Sequence, residues 1–509
     1  MTTKKGPTVN SYSAPARPAF LDGSVKGLFI DNDFVEPYEH AVIDALDPAD
    51  NSLLGQVYAA GAQDVDRAVS SARRAFEGPW SRLSAAERGR FLWRLADLVD
   101  EHADELALLE TLNNGKPLRI AREDDLPETA NVFRYFAGFA TKNSGQTIDV
   151  GDVDAHVYTL HEPIGVTAGI IPWNYPLVLA AWKLAPALAA GNVMILKPAE
   201  QTPLSILRLA ELVRDAGFPP GVVSVLNGHG HVAGEAITQH PGIDKVAFTG
   251  EMSTGQRIAV AASGTLKRVT LELGGKSPNV VFADADPAQL RSGALWGIFY
   301  NMGQDCSAGS RLLVEDSIFD EVVENLAADA ADLKVGPGTD SDTDIGPLVS
   351  VGHTERVLSY LDLAAQEGMV RAGGGRETGP GRDGGNFVQP TLITGTGTGA
   401  RVVNEEIFGP AVVAMPFKDE DDLVALANGT SFGLAAGIWT RDVGRAHQVA
   451  RRLRAGTVWV NTYGDADAAV PFGGTRMSGY GRDKGSYAIE AYTQVKAVWV
   501  NTARPQGHV

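Results

Sequence analysis

From Gly165 onward, short apolar runs alternate with amphipathic stretches: "VTAGII", "NVMILK", "VVSVLN", "KVAFTG" and "RVTLEL". Runs this short, apolar at nearly every position and bounded by Gly, Pro or Asn, predict strands buried on both faces. Between them lie segments of helical period, one starting at Thr202-Pro203 and ending near Gly217. The alternation predicts a parallel, doubly wound sheet, with its binding crevice at the carboxyl ends of the strands where their order switches. After about residue 275 a second alternation begins: "PNVVFAD", a helix through Phe299, a loop, "RLLVED", and a long helix capped by Ser317. It continues through "AVVAMPF", "AAGIWT" and "TVWVN", predicting a second α/β domain.

Before about residue 145 the pattern is mainly helical. In "SAAERGRFLWRLADLVD", Ser84 and Glu87 have capping-box spacing, and Leu92, Leu95, Ala96 and Val99 fall on one helical face. "TLNNGKP" stops the next helix at Gly115. Two extended pieces, "VDAHVYTLHEP" and "YTQVKAVWVN", belong to neither alternation and are expected to pair with each other and with a neighbouring subunit. The most membrane-like stretch, "PLVLAAWKLAPALAAGNVMIL", is divided by Lys183, Pro186 and Gly191-Asn192 into a buried helix followed by a strand.

Composition narrows the picture. The 509 residues allow two to four domains, and 44 % hydrophobic content supplies real cores. A formal charge of -18 without a long basic run argues against nucleic acid as a partner. One cysteine forms no internal disulfide, and the ten histidines include no HExxH, so no structural metal is expected. Residues 1–22 read as a flexible arm without the apolar core of a signal peptide, which makes the cytoplasm the expected location.

The single cysteine, Cys306, lies in "FYNMGQDCSAGS" between Gly303 and Gly309, glycines that let the backbone approach a ligand closely. By itself it reads equally as an inert small hydrophobe. Glu272 in "LELGGKSPN" faces away from Leu271 and Leu273, as a solvated residue or as a functional carboxylate at a strand's carboxyl end. Lys197 and Glu200 in "LKPAE" make either a surface ion pair or a reader of ribose hydroxyls. "FTGEMSTG" places Gly250 and Gly255 around a strand-to-helix turn able to face a pyrophosphate.

Together these motifs resemble the NAD(P)-dependent aldehyde dehydrogenase superfamily. The resemblance runs from about residue 25 to residue 500 through "ETLNNGKP", "EPIGVTAGIIPWNYPL", "WKLAPALAAGNVMILKPAEQTP", "FTGEMSTG", "LELGGKSPN", "NMGQDCSAGSR", "GGNFVQPTL", "EEIFGPAVV" and "PFGGTRMSGYGRDKG". It implies a Rossmann-type NAD-binding domain from 23–145 and 165–274, a catalytic domain at 275–485, and small oligomerisation strands at 146–164 and 486–509. It implies Cys306 as nucleophile, Glu272 as general base, Asn174 as oxyanion donor and Lys183 as support of the site. Lys197 and Glu200 match the adenosine-ribose contacts. Ile171, Pro172, Trp173, Gly230, Gly234, Phe248, Gly250, Glu251 and Gly274 match other parts of the dinucleotide cleft, and Glu406 and Phe408 the nicotinamide end. Tyr175, Leu179, Trp182, Tyr300, Asp305, Asp465, Ala466 and Phe472 match the substrate tunnel.

The resemblance further implies aldehyde oxidation through a thiohemiacetal and a thioester that water hydrolyses, with a homo-oligomer, dimer or tetramer, as the assembly. The usual serine after "FTG" is replaced by Glu251, which puts the pyrophosphate contacts in question. The carboxylate of Glu200 favours NAD over NADP by repelling a 2′-phosphate. The tunnel reads either as a passage for aliphatic or aromatic aldehydes or, through Asp305, Asp465 and Asp467 among aromatic rings, as a receiver of an ammonium group. That arrangement resembles the aminoaldehyde and betaine-aldehyde branches, "GQDCSA" is most similar to the 4-aminobutyraldehyde branch, and the lack of an arginine pair disfavours a phosphorylated substrate. A CoA-acylating enzyme, a non-catalytic protein of this fold and a cysteine esterase are the alternatives. Glu272 argues against the first, and intact Cys306, Glu272 and Asn174 against the second; activity that ignored NAD+ would mark the third.

Overall fold

The computed structural model describes residues 17–151 and 153–503. The five strands read from the apolar runs all form, as Val166–Ile170, Val193–Lys197, Val223–Val225, Lys245–Gly250 and Arg268–Leu273, and pair in parallel. In space their order is Arg268–Leu273, Lys245–Gly250, Val166–Ile170, Val193–Lys197, Val223–Val225. The chain thus builds outward from Val166–Ile170 in one direction, then returns and builds in the other from Lys245–Gly250. The order reverses between those two strands, which opens a crevice at their carboxyl ends. Short antiparallel strands complete the eight-stranded sheet: Gly479–Tyr480 on one edge, and Leu28–Ile30 with Asp33–Val35 on the other.

The second alternation forms a seven-stranded sheet in the order Met369–Ala372, Thr391–Thr394, Ala411–Phe417, Arg311–Glu315, Pro278–Val281, Ala435–Trp439, Thr457–Val460. Alternate residues of its strands enter opposite cores: Val281, Leu312, Val314 and Val412 pack on one face, Val280, Leu313, Val413 and Ile438 on the other. Covering both faces is why these strands read as unbroken apolar runs. The helix Pro287–Phe299 ends where expected. The Ser317 cap does not form. Asp316–Ile318 makes a 3-10 turn, the Ser317 hydroxyl donates to Glu315 Oε1 at 3.5 Å, and the helix Phe319–Asp332 starts after Ile318 without a side-chain cap.

The amino-terminal region is less helical than its pattern predicts. Val25–Lys26, Leu53–Tyr58 and Val42–Leu46 form a three-stranded sheet before the first helix, Ala62–Glu77. Most of the expected arm, at residues 1–16, falls outside the described residues, and its last part packs inward through buried Phe20 and Leu21. In the helix Ala85–Glu101, Ser84 Oγ accepts from Glu87 N–H while Glu87 Oε2 accepts from Ser84 N–H at 2.7 Å. Leu92, Leu95, Ala96 and Val99 are fully buried, each of the larger three stabilising the fold by roughly 1.5–3 kcal/mol.

The membrane-like stretch becomes the buried helix Pro176–Ala190, ended by Gly191, and the strand Val193–Lys197. No described helix is long and apolar enough to cross a membrane. The two extended pieces pair with each other over nine residues, Ala155–Pro163 against Thr493–Asn501, with Thr147–Ile148 added at the edge.

Candidate active site

The Cys306 loop begins where the helix Pro287–Phe299 runs into a turn with three successive left-handed residues, Asn301 (φ 49°), Met302 (φ 59°) and Gly303 (φ 69°). Two of these are not glycine, a conformation that costs of order 1–3 kcal/mol each and persists only when its surroundings enforce it. Buried Asn301 does the enforcing: its Nδ2 donates to the carbonyls of Asn174 at 3.2 Å and Gln304 at 3.1 Å. Asn174 Nδ2 also donates to the Gln304 carbonyl, at 3.0 Å. The loop thereby brings Asn174 to within two residues of Cys306, which is free and partly exposed.

The glycines flanking the thiol serve packing. A Cβ on Gly303 would meet the Gly409 carbonyl oxygen at 2.1 Å, and one on Gly309 would crowd Asn279 and Tyr463. Burial, then the charges of Asp305, Glu406 and Glu272, push the Cys306 thiol well above its ordinary pKa.

Glu272 sits one residue from the end of Arg268–Leu273, opposite Thr249 in the neighbouring strand. It is 4 % exposed and neither carboxyl oxygen completes a hydrogen bond. One oxygen lies against Gly473 (φ 152°), where a Cβ would stand 2.5 Å away, so a side chain there would displace it. Burial first and the Asp483 charge second raise the Glu272 pKa well above the carboxylate range, against the lowering pull of Lys183 and Arg482. Lys183 and Asp483, both buried, form an ion pair beside it.

On the cofactor side, Lys197 ends its strand, and its carbonyl accepts from Ile171 N–H at 3.1 Å. Its ammonium donates to the Pro198 carbonyl at 3.0 Å and stands 3.7 Å from Glu200 Oε2; burial lowers its pKa. The turn Gly230–Gly234 passes over the Lys197 stem, which lies 3.7 Å from where a Gly234 Cβ would be, while the space beyond Gly230 is open. Gly250, against the Phe248 ring, leads into the helix Met252–Ser263. Glu251 is its N-cap residue but its exposed side chain caps nothing, so the first-turn N–H groups stay available to an anion.

Glu406 Oε1 accepts from Gly275 N–H at 2.9 Å, and burial raises its pKa to about 7. It crowds Gly274 so closely that a Cβ would meet Glu406 Oε2 at 2.0 Å. Trp173, next to half-buried Pro172, packs edge-on to Phe408 with centroids 5.3 Å apart, and His353 Nε2 meets the Phe408 carbonyl at 2.8 Å. An ion pair able to meet ribose hydroxyls, a helix start with uncapped donors and a carboxylate among glycines suit a dinucleotide.

On the substrate side, Tyr175 OH donates to Asp305 Oδ2 at 2.9 Å, while Asp305 Oδ1 accepts from the Ser307 N–H and hydroxyl, each at 2.7 Å. Trp182 packs on Phe472 with centroids 5.3 Å apart, beside buried Leu179. Tyr300 OH donates to Asp124 Oδ2 at 2.7 Å. The Lys484 ammonium stands 4.6 Å from the Trp182 ring centroid and 3.4 Å from Glu128 Oε1. Asp465 and Ala466 lie on an exposed loop, where Asp465 is held by the Thr462 hydroxyl and its carbonyl by Trp459 Nε1.

The sequence profile described as "Aldehyde dehydrogenase family" matches residues 34–498. The chain belongs to the aldehyde dehydrogenase family. It is similar to the aldehyde dehydrogenase of Aspergillus niger, 48 % identical over 473 residues that cover 93 % of this chain and 94 % of the relative. Among solved structures it resembles an NAD+ complex of aldehyde dehydrogenase from Bacillus cereus, with 48 % identity, a TM-score of 0.93 and coverage of 95 % and 98 %. It also resembles betaine aldehyde dehydrogenase from Staphylococcus aureus in complex with NAD+, at 39 % identity, TM-score 0.93 and coverage of 96 % and 97 %.

This aldehyde dehydrogenase therefore acts on small aldehydes and binds an NAD(P) cofactor. Several residues in contact with the candidate site carry no sequence signal of their own. Asp124, Glu128, Asp483 and Lys484 look like ordinary charges on helices or turns, and only packing brings them to Tyr300, Trp182 and Glu272. The last two do stand in the recognisable block "GYGRDKG".

Proposed function

We propose that the chain oxidises an aldehyde to a carboxylic acid with NAD+, through covalent chemistry at Cys306. The observation that carries this is the convergence on one loop: Asn174 bonds to the Gln304 carbonyl, two residues before the thiol, and the turn that follows the Glu272 strand packs on the same loop, where a Cβ on Gly275 would meet the Cys306 carbonyl at 2.5 Å. Cys306 Sγ adds to the carbonyl carbon after giving up its proton, for which Glu272 is the acceptor, and a thiohemiacetal forms. Its oxyanion receives the Asn174 amide and the Cys306 backbone N–H, donors worth about 3–4 kcal/mol each in comparable sites. The bound dinucleotide supplies the hydride acceptor, which leaves a thioester on Cys306. Glu272 first releases the thiol proton to solvent and then takes a proton from water as it attacks that thioester; the tetrahedral adduct collapses, the carboxylic acid leaves, and the departing Cys306 thiolate regains the proton from Glu272. Lys183 supports the site through its pair with Asp483, setting the field at Glu272.

NAD+ is the preferred dinucleotide, held at its adenosine ribose by Lys197 and Glu200. Glu406 and Phe408 meet the nicotinamide end, and Trp173, packed on Phe408, forms part of the same cleft. Glu200→Ser is expected to raise kcat/KM for NADP+ relative to NAD+ by about tenfold or more, roughly 1.4 kcal/mol. An unchanged ratio would show that Glu200 does not face the ribose.

The substrate is an aminoaldehyde. Asp305 and Asp124 each accept from a tyrosine hydroxyl, which places carboxylates among aromatic rings, a combination that attracts an ammonium group. Occupation of both Asp305 oxygens by Tyr175 and Ser307 favours a second reading, a tunnel for plain aliphatic or aromatic aldehydes. NADH formation from 3-aminopropionaldehyde and from butanal at saturating NAD+ separates them. A kcat/KM preference for the amine of about tenfold is expected, and a preference for butanal would establish the second reading.

The assembly is a homo-oligomer, dimer or tetramer. The sheet of Thr493–Asn501 exposes Val495, Trp499 and Val500, and its partner strand exposes Leu160. Light scattering reads the mass directly, and a monomer would remove this reading.

A further inference from the structure

The turn Glu110–Lys116 has no part in the chemistry above, yet Glu110, Asn113, Asn114 and Lys116 are all buried polar residues. The helix Ala103–Asn114 ends at Gly115 (φ 96°), where a Cβ would meet the Pro347 carbonyl at 2.6 Å. The left-handed residue ends the helix, and the side chains on either side of it, Asn114 and Lys116, are fully buried.

Their contacts straddle Asn174. Asn114 Nδ2 donates to the carbonyl of Trp173 at 2.6 Å, while Asn114 Oδ1 accepts from Lys116 N–H at 3.2 Å. The Lys116 ammonium, paired with Asp125 at 2.5 Å, stands 4.3 Å from the centroid of the Tyr175 ring. Glu110 Oε1 accepts from Leu177 N–H at 2.8 Å and from the Ser205 hydroxyl at 3.2 Å. Asn113 holds the segment after Glu200, donating to the Gln201 carbonyl at 2.9 Å and accepting from Leu204 N–H at 3.3 Å. One buried turn thus fixes the residues before and after Asn174 and also the loop behind the ribose contacts.

We propose that Asn114 is a positioning residue for aldehyde oxidation: by holding the Trp173 carbonyl it fixes the Trp173–Asn174 peptide plane, and hence the direction in which the Asn174 amide points. The peptide group is rigid, so a carbonyl held on one side sets the N–Cα bond on the other. Asn301 and Gln304 hold Asn174 from the thiol loop, and Asn114 holds it from the opposite side. This inference rests on the reading of Asn174 as oxyanion donor.

The test compares Asn114→Ala, Asn174→Ala and the double variant in aldehyde oxidation and in NAD+-independent hydrolysis of p-nitrophenyl acetate. Iodoacetamide alkylation of Cys306 and NAD+ binding are measured alongside. Asn114→Ala is expected to lower kcat about 10- to 100-fold in both reactions, with KM, NAD+ affinity and alkylation rate within about twofold. In the Asn174→Ala background it is expected to cause no further loss, because one residue acts through the other. Independent, multiplying losses would overturn the inference, as would normal ester hydrolysis by Asn114→Ala. Full activity of Asn174→Ala would instead overturn the oxyanion reading itself. Should Asn114→Ala not fold, Asn114→Asp has the same shape and keeps the acceptor for Lys116 N–H but loses the donor; wild-type kcat in that variant would equally refute the proposal.

Discussion

Replacing Cys306 by alanine is expected to abolish aldehyde-dependent NADH formation, by about 10⁴-fold or more, while NAD+ binds as before. The thiol is the only one in the chain, so no neighbouring cysteine can take over the covalent step. The change removes a single sulfur atom, so the loop, held by Asn301, should keep its shape. The groups assigned to the dinucleotide stand on other elements: Lys197 on its strand, Glu251 at a helix start and Glu406 after a short helix. Fluorescence titration with NADH reads binding, and absorbance at 340 nm reads turnover. Retained turnover would remove covalent catalysis at Cys306. In the wild-type protein without cofactor, burial and three neighbouring acids oppose the thiolate. Alkylation is therefore expected to be slow at neutral pH and to rise as pH increases through the elevated thiol pKa.

The parallel strands were legible because both faces of each sheet are covered, which leaves an apolar run with no alternation to blur it. Shorter and half-exposed strands were not. Leu28–Ile30 and Asp33–Val35 have three residues each, and Val42–Leu46 is exposed at alternate positions on a small sheet. Ser317 has the right chemistry for a cap but sits inside a 3-10 turn, since local sequence does not fix the residue at which a helix begins.

In the site, Cys306, Glu272, Lys197 and Glu200 stand out because strand ends and glycine-rich turns surround them in sequence. Asp124 meets Tyr300 across 176 positions, and Lys183 meets Asp483 across 300. Contacts of that span carry no local signature, because they exist only once the sheets have assembled. Asn114 is the intermediate case: its motif was visible, while its partner, the Trp173 carbonyl, was not.

Glu272→Gln is expected to leave at most a single burst of NADH, about one equivalent per active site, followed by steady turnover lowered about 10²- to 10⁴-fold. The amide has nearly the shape of the carboxyl it replaces and needs only the space opened at Gly473. What it loses is the ability to accept a proton. Hydride transfer precedes the need for water, so one turnover's NADH appears as the thioester forms and accumulates on Cys306. The thiol proton must then leave to solvent, which slows the burst as well. Burial and Asp483 raise the Glu272 pKa, and a base works only when deprotonated. Wild-type steady turnover should therefore fall as pH drops through that raised value, on an acid limb above the ordinary carboxylate range. In Glu272→Gln this limb should be absent from the residual rate. Stopped-flow absorbance resolves burst from steady state, and mass spectrometry of the quenched protein reads the trapped acyl group. Near-normal steady turnover, or a burst with no acyl group on Cys306, would mean that another residue activates the water. Asp483, the charge that bears most on Glu272, would then be the residue to replace next.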